Sequence, residues 1–382
     1  MTGRTPELRD APGRMPTPTL QEVEQRLAEV AHPTFERPML ELGLLRDLQL
    51  SGNRLSLTAV VNAASEPLKQ EIRERVQRAL DGLGIDQVVF AWELQVPMRA
   101  AGADDPVPGV KNVVLVMSGK GGVGKSTVAV NLALALKRAG TRVGLLDADI
   151  YGPSVPTMLG VSGNPHSVDG KTIEPMQRFG VKLMSIGFMI ESEKDAIIWR
   201  GPMLQGALQQ FLADVNWGEL DYLVLDLPPG TGDVALSLAQ RLKTTGAVIV
   251  TTPQEIALQD VYKAVSMCKK LNIPILGVVE NMSHFIDSAG VRHELFGAGG
   301  GQKIAEYAEA PLLAQIPLDP AVREQGDGGT PIVQASPEHP AAKALTLAAE
   351  ALADRIALES FARGGGHKAP EAKGPRRLKI MR

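Results

Sequence analysis

The stretch Ser118-Gly-Lys-Gly-Gly-Val-Gly-Lys-Ser-Thr127 decides the fold of this 382-residue chain. It contains the pattern G-x-x-x-x-G-K-[ST], directly after the apolar run 112–117 and directly before a helical pattern over 128–137. Strand, glycine-rich turn and helix in this order predict a phosphate-binding loop, because backbone N–H groups and a helix N-terminus can together surround phosphate oxygens. We expect Lys125 to reach the β- and γ-phosphates and the Ser126 hydroxyl to ligate Mg²⁺.

The candidate phosphate contacts fill this stretch after its first residue. They are Gly119, Lys120, Gly121, Gly122, Val123, Gly124, Lys125, Ser126 and Thr127. A tight strand-to-helix turn that happens to contain two lysines is the alternative interpretation. The strand before the turn and the helix after it favour phosphate binding, because such a loop works in that context.

Composition limits the class of protein. The length allows two or three domains, and the 44% hydrophobic content supports a sizeable core. A net charge of −3 argues against a protein that binds nucleic acid through overall positive charge. The single cysteine, Cys268, cannot form an intramolecular disulfide and fits a reducing compartment. The N-terminus has no secretory pattern and no apolar run approaches the ~18 residues of a membrane helix. We therefore expect a soluble cytoplasmic protein, with no membrane partner and no specific nucleic-acid partner.

Changes in composition predict the domain boundaries. Residues 1–16 are polar and predicted to be disordered, and residues 17–99 form a small α/β domain. Residues 100–109, rich in small residues and proline, are a predicted linker. Residues 110–362 form the large domain, and residues 363–382 are a basic flexible tail.

In the large domain, short apolar strands alternate with helical patterns. The predicted strands are 113–117, 143–147, 183–186, 222–226, 247–251 and 275–279. The predicted helices are 124–139, 204–215, 233–243, 258–271, 300–308 and 340–362. Continuous apolar strands separated by helices predict an α/β fold with a doubly wound, mostly parallel sheet, here a P-loop ATPase domain.

Acidic residues follow the predicted strands. Asp147 and Asp149 follow one strand, and Asp226 and Asp233 follow another. Ligands of open α/β sheets bind at the carboxyl ends of the strands, so these carboxylates should converge on the phosphate loop. With Ser126, we predict Asp149 and Asp226 as magnesium ligands, Asp226 acting through water, and Asp149 as the residue that orients or deprotonates the attacking water. Aspartates that cap helices or satisfy turns are the alternative.

Several motifs together carry a family resemblance. They are Gly119-Lys-Gly-Gly-Val-Gly-Lys125, Asp147-Ala-Asp-Ile-Tyr-Gly-Pro-Ser154, Trp199-Arg-Gly-Pro-Met203, Asp226-Leu-Pro-Pro-Gly-Thr-Gly-Asp233 and Glu280-Asn-Met-Ser283. The first, with its second lysine, resembles the deviant phosphate loop of the family that includes MinD, ParA and the nitrogenase iron protein. Over about 110–335 the chain resembles the Mrp/Nbp-type iron–sulfur cluster carrier ATPases. Residues 17–99 resemble the small domain often fused to them, which is linked to metal–sulfur assembly.

The resemblance implies a homodimer that encloses two ATP molecules, hydrolyses them slowly and delivers clusters to apo iron–sulfur proteins or works with assembly factors. Lys120 of one subunit would reach the phosphates of the other, although by its own chemistry it could equally be a solvated lysine. The implied catalytic residues are Lys120, Lys125 and Asp149. The segments 147–154 and 226–233 would be switch loops that respond to the γ-phosphate. Positions that match adenine contacts are Asn281, Pro317 and Asp319; a turn residue is the alternative for Asn281.

The chain departs from this family in its cysteines. Carriers of this type place Cys-x-x-Cys shortly after the E-N-M-S motif, since cluster iron prefers thiolates. Here 287–290 occupies that place and contains no cysteine. We expect Cys268 to be a packed residue, so no iron–sulfur ligand is identified. A metal site made from His284, Asp287, His293 and Glu294 is a weaker alternative.

Three functions compete on this sequence. The prediction is an ATP-binding and ATP-hydrolysing iron–sulfur cluster carrier with ATP and Mg²⁺ as ligands. The alternative is a nucleotide-switched positioning or scaffold ATPase of the MinD/ParA type, for which the basic tail 363–382 could bind DNA or a membrane. A metabolic kinase is disfavoured by Lys120 and by the long switch segments.

Overall fold

The computed structural model describes residues 18–34, 36–62, 65–102, 104–149, 152–167, 169–189, 201–230 and 242–362. The chain folds into two compact units, and the boundary between them lies between Gln95 and Val96. The predicted disordered N-terminus, the basic tail and most of the predicted helix 233–243 lie outside the described residues. Among the described residues, no helix is both long and apolar enough to cross a membrane.

The first unit consists of two helices and a three-stranded sheet. Its elements are α1 (Leu20–Leu27), β1 (Leu45–Ser51), β2 (Arg54–Val61), α2 (Glu66–Leu80) and β3 (Gln87–Leu94). Strand β2 pairs antiparallel with β1 and parallel with β3. Apolar side chains spaced four residues apart on each helix are buried, which gives the unit its own core: Val23 and Leu27 on α1, and Ile72, Val76 and Leu80 on α2.

The second unit is built on an eight-stranded sheet. The described strands of this unit are β4 (Val110–Ser118), β5 (Val143–Asp147), β6 (His166–Ser167), β7 (Ile173–Glu174), β8 (Met176–Arg178), β9 (Val181–Ser185), β10 (Leu220–Asp226), β11 (Gly246–Thr251), β12 (Ile275–Glu280), β13 (Phe285–Ile286), β14 (Arg292–His293) and β15 (Leu312–Gln315). Strands β6 and β7, and strands β13 and β14, form two separate two-stranded sheets. The described helices of this unit are α3 (Lys125–Arg138), α4 (Val155–Leu159), α5 (Gly201–Ala213), α6 (Glu255–Lys270), α7 (Gly300–Ala308), α8 (Pro320–Asp327), α9 (Ile332–Ala335) and α10 (Pro340–Ala362).

The order of this sheet is β15-β12-β11-β4-β10-β5-β9-β8. All neighbouring strands are parallel except β8, which pairs antiparallel with β9 at one edge. Every residue of β5, β10 and β11 is buried, as expected for strands covered on both faces. The doubly wound, mostly parallel fold predicted from the sequence is confirmed.

Strand register brings the carboxyl ends together. Asp226 at the end of β10 is opposite Asp147 at the end of β5. On the other side of β4, Ser118 is opposite Val250, one residue before the end of β11. The residues that follow these strands therefore lie along a single edge of the sheet, where the phosphate loop begins.

The predicted linker 100–109 belongs to the second unit. Arg99 and Asp105 form a buried ion pair, and the Arg99 guanidinium also donates to the carbonyl of Val107, 3.0 Å away. The Asn112 amide at the start of β4 donates to the carbonyl of Pro97 at 2.8 Å. Small residues and proline therefore mark, in this case, a segment that packs within the second unit.

Candidate nucleotide-binding site

The predicted phosphate loop connects β4 to α3. Gly122 and Gly124 have φ angles of +80° and +81°, a left-handed conformation that side chains disfavour. Gly124 is the N-cap of α3. Because glycine has no side chain, it accepts no hydrogen bond from the first N–H groups of the helix. Those N–H groups and the positive end of the helix dipole are therefore suited to an anion.

Neighbouring segments hold the loop in place. A Cβ on Gly119 would lie 2.3 Å from the backbone nitrogen of Val261 in α6, so only glycine fits there. The N–H of Gly230 donates to the carbonyl of Ser118 at 2.9 Å, which ties the segment after β10 to the start of the loop. The Asn281 amide donates to the carbonyl of Val123 at 2.9 Å and braces the opposite side.

The structure brings the predicted chemical groups together around Lys125. The buried ammonium of this lysine lies 2.5 Å from Oδ1 of Asp226 and 3.6 Å from Oδ2 of Asp149. It also lies 3.4 Å from the hydroxyl of Ser126. One cation, two carboxylates and a hydroxyl thus meet at the N-terminus of α3, which is the donor set that a magnesium-bound triphosphate requires.

Asp226 is fully buried, and its environment suits a metal-bound water. Burial raises the pKa of Asp226, and the adjacent Lys125 ammonium opposes that shift. Among the described residues, Oδ2 of Asp226 has no hydrogen-bond partner. A buried carboxylate oxygen with unused acceptor capacity is expected to find a partner, so it fits a water from the shell of Mg²⁺.

Asp147 has a different role from its neighbour Asp149. Its carboxylate accepts from the N–H of Asp149 at 3.1 Å, the hydroxyl of Ser185 at 2.9 Å and the N–H of Val155 at 3.3 Å. Complete burial, reinforced by the nearby Asp226, raises the pKa of Asp147 to about 8. These contacts support the alternative that Asp147 satisfies the backbone groups of a turn. By doing so, Asp147 holds the backbone that carries Asp149. Asp233 lies outside the described residues.

The predicted adenine segments run side by side. The N–H of Ser283 donates to the carbonyl of Ile316 at 2.9 Å, and the N–H of Leu318 donates to that of His284 at 2.7 Å, so Pro317 lies next to the motif that contains Asn281. Asp319 caps α8 by accepting from the N–H of Ala321 at 2.8 Å, and its other oxygen lies 3.4 Å from Nε2 of His339. Adenine contacts at these positions stay a prediction.

Sequence reasoning missed the bond between Asn281 and Val123. The two residues are 158 positions apart, and no local pattern signals the contact. Lys120, the predicted cross-subunit residue, is partly exposed, and no carboxylate in the described ranges forms an ion pair with it. Its cross-subunit role stays a prediction.

The cysteine is a packed residue, as expected. Cys268 is fully buried in α6 with its sulfur 3.7 Å from that of Met117, and burial raises the pKa of its thiol to about 12. Such a thiol does not provide the thiolate that a cluster requires.

The alternative metal site near the β13–β14 hairpin is not formed. Asp287 instead accepts from Nε2 of His293 at 2.7 Å and from the N–H groups of Ala289 and Val291 at 2.9 Å. Within the part of the chain that the structure describes, no three His, Cys, Asp or Glu side chains form a group that could hold a metal ion.

Fold and site together define a P-loop nucleotide-binding protein. Comparison with known families is more specific: the model described as "NUBPL iron-transfer P-loop NTPase" matches residues 109–353, and that described as "Iron-sulfur cluster assembly protein" matches residues 20–89. The chain belongs to this family of iron-transfer P-loop NTPases, which confirms the resemblance noted in its motifs.

Individual relatives agree with this assignment. The iron–sulfur cluster carrier protein of Synechocystis sp. is 44% identical over 88% of this chain and 97% of its own length. The protein of the same name from Aquifex aeolicus is 47% identical over 82% of this chain and 92% of its own. A nucleotide-binding protein from Archaeoglobus fulgidus, solved in complex with ADP, is 41% identical, covers 58% of this chain and 87% of its own, and superposes with a TM-score of 0.52.

Proposed function

We propose that this protein binds and slowly hydrolyses ATP and, as a nucleotide-switched homodimer, delivers iron–sulfur clusters to apoproteins. The observation that carries the proposal is the meeting of Lys125, Asp149 and Asp226 at the phosphate loop. It occurs in a chain whose curated relatives are named iron–sulfur cluster carrier proteins. We also place the protein in the cytoplasm, where its single thiol would stay reduced.

Nucleotide binding would rearrange the pairing of Lys125. A triphosphate in the loop competes with Asp226 for the lysine ammonium, because phosphate oxygens are also strong anionic acceptors. Ser126 and, through water, Asp226 would hold Mg²⁺, and this ion would supply positive charge beside the phosphates. Asp149, which Asp147 holds by its backbone N–H, would then orient or deprotonate the attacking water.

The same contacts connect the site to both switch loops. The Asp147 carboxylate accepts from the N–H of Asp149 inside the first loop and from the N–H of Val155 just after it, so a movement of Asp149 would disturb both bonds. The second loop begins at Asp226 and reaches Gly230, which is bonded to Ser118. When the γ-phosphate is lost, Lys125 can return to Asp226, and both loops relax together. Lys120 would complete the site of a second subunit.

The cargo step needs ligands from elsewhere. Since Cys268 is the only cysteine and is buried, thiolates for a cluster would come from the partner proteins, either apo iron–sulfur proteins or assembly factors. The chain would thus act on the transfer between partners rather than hold the cluster on its own sulfur.

A transfer assay tests this function. A cluster-loaded scaffold protein is mixed anaerobically with an apo-ferredoxin, and transfer is followed by absorbance with and without this chain and Mg·ATP. We expect acceleration that needs nucleotide, that is lost in Lys125→Ala and that is unchanged in Cys268→Ala. Loss of acceleration in Cys268→Ala, with folding preserved by circular dichroism, would mean that the chain uses its own thiol and would refute the partner-ligand step.

A positioning or scaffold ATPase is the second candidate. It is favoured because, in the described ranges, no group of three His, Cys, Asp or Glu side chains could hold a cluster or its iron. Normal ATP hydrolysis with no effect on cluster transfer, together with ATP-dependent binding to lipid vesicles or DNA, would establish this candidate and reject the carrier.

A further inference from the structure

Glu280 is a fully buried carboxylate next to the residue that braces the phosphate loop. It is the last residue of β12, and it precedes Asn281, whose amide donates to the carbonyl of Val123. Burial of a carboxylate costs free energy unless its oxygens are hydrogen-bonded. The partners of Glu280 therefore show which parts of the fold this side chain holds together.

Both carboxylate oxygens of Glu280 have a partner. Oε2 accepts from the N–H of Gly301 at 2.5 Å, and Oε1 accepts from the side-chain amide of Gln315 at 2.8 Å. Gly301 lies in the first turn of α7, whose N-cap, Gly299, has a φ angle of +76° and no side chain to accept from that turn. The carboxylate supplies the missing acceptor, and the helix dipole favours its negative charge there. Glu280 thus joins α7 and β15 to the end of β12.

The start of α7 is shaped to reach this carboxylate. A Cβ at Gly301 would lie 2.6 Å from the Cβ of Glu280. A Cβ at Gly300 would lie 2.6 Å from the carbonyl oxygen of Pro253, which follows β11. The helix therefore approaches the carboxyl edge of the sheet more closely than a residue with a side chain would allow.

The contact closes the base of the segment that begins with Asn281. Glu280 and Gly301 are 21 positions apart and lie on either side of this segment. The N–H of Asn281 donates to the carbonyl of Thr251 at 2.8 Å, and the carbonyl of Glu280 accepts from the N–H of Ile316 at 2.8 Å. The backbone that carries the Asn281 amide is therefore held by β11, by the residue after β15 and, through the Glu280 side chain, by α7.

We propose that Glu280 is a positioning residue for nucleotide binding, because its carboxylate keeps Asn281 where the amide braces the phosphate loop. This inference rests on the nucleotide binding of the proposed function. A braced loop has fewer conformations to lose when phosphates bind, so the brace raises the affinity for nucleotide. Since both of its oxygens are taken by Gly301 and Gln315, Glu280 acts on the nucleotide through Asn281.

Calorimetry of the full-length chain with a non-hydrolysable ATP analogue and Mg²⁺ tests this role. Glu280→Met keeps the length of the side chain but removes both acceptors, and it should weaken binding about tenfold. Glu280→Gln keeps an acceptor for Gly301 and a donor for the amide oxygen of Gln315 once that amide has turned over, so its affinity should stay within about threefold of the wild type. In an Asn281→Ala background, Glu280→Met should cause no further loss, because the residue through which it acts is absent.

Urea unfolding of the same variants separates positioning from stability. Glu280→Met should lower the free energy of unfolding in both backgrounds, since the N–H of Gly301 loses its acceptor in each. Its effect on affinity should appear only where Asn281 is present. If Glu280→Met does not fold, Gly301→Ala disturbs the same contact from the side of α7 and should show the same dependence on Asn281.

The failures of this inference and of the proposed function are distinct. If the wild type binds the analogue and Glu280→Met binds it equally well, the positioning role is overturned. A loss of affinity that is just as large in the Asn281→Ala background overturns it too, as does a Glu280→Gln variant as weak as Glu280→Met. A folded wild-type chain that binds no nucleotide overturns the proposed function itself, whatever the variants do.

Discussion

Replacement of Gly124 by alanine should disconnect the phosphate loop from Asn281. A Cβ at this position would lie 2.1 Å from Nδ2 of Asn281, whereas real Cβ atoms essentially never come closer than 3.0 Å to such an atom. The amide must rotate away, and its bond of 2.9 Å to the carbonyl of Val123 is then lost.

The chain offers a matched control for the backbone strain. Gly122 has nearly the same φ, +80° against +81°, but a Cβ there meets nothing within 4 Å. Both substitutions carry the left-handed penalty of about 1–2 kcal/mol. Only Gly124→Ala also leaves the carbonyl of Val123 without its amide donor, which costs a further 1–3 kcal/mol or so. We therefore expect Gly124→Ala to be less stable than Gly122→Ala by about 1–3 kcal/mol.

Urea unfolding without nucleotide, followed by circular dichroism, measures this difference. In an Asn281→Ala background the two glycine substitutions should become equal, because the atom that collides and the bond that breaks are both absent. Equal free energies of unfolding for Gly122→Ala and Gly124→Ala in the wild-type background would refute the idea that Asn281 braces the loop. A difference that persists in the Asn281→Ala background would show that another contact causes it.

Further expectations concern charge. Lys125→Ala should weaken ATP binding by about 10- to 100-fold in calorimetry, because a charge-assisted contact to phosphate is lost. Lys120→Ala should bind ATP normally but hydrolyse it about 10³-fold more slowly in a phosphate-release assay, and normal turnover would reject the cross-subunit role. Asp226→Asn should raise the Mg²⁺ concentration needed for half-maximal hydrolysis by about 10- to 100-fold. In the first unit, burial, and to a smaller extent the charge of Arg75, lowers the pKa of His32 from 6.5 to about 4. Between pH 6.5 and 4 the unfolded chain therefore binds a proton on His32 that the folded chain does not, and the folded state loses stability as pH falls. Amides of α1 should therefore exchange faster as pH falls from 6.5 towards 4, after correction for intrinsic rates, and His32→Gln should flatten that dependence.

Local patterns were sufficient where the structure is local. The phosphate loop is specified by neighbouring glycines and one lysine, and it forms at the predicted place between β4 and α3. Strand β5 and helix α10 also have the predicted bounds, Val143–Asp147 and Pro340–Ala362. Each consists of an apolar run or a helical run with clear breakers at its ends, so its type follows from nearby residues alone.

Other features depend on contacts that no local pattern contains. Strand β15 is only four residues long and forms because it pairs with β12. The predicted linker packs because Arg99 and Asp105 find each other in a buried ion pair. The role of Asp147 could not be predicted for the same reason, because its partner Ser185 is on a neighbouring strand. Propensity describes what a segment does alone, whereas these segments obtain their structure from tertiary partners.

The cysteine question shows how the two kinds of information combine. The sequence could establish that only Cys268 is present, and its helical position already suggested a packed side chain. Its burial against Met117 and the raised pKa of the thiol turn that suggestion into a chemical constraint, because a neutral thiol in the core cannot exchange ligands with a cluster. The nucleotide machinery and the cargo machinery therefore need not reside in one chain. In the function that we propose, this chain would provide the ATP-dependent movement, and the thiolates would come from the proteins that it serves.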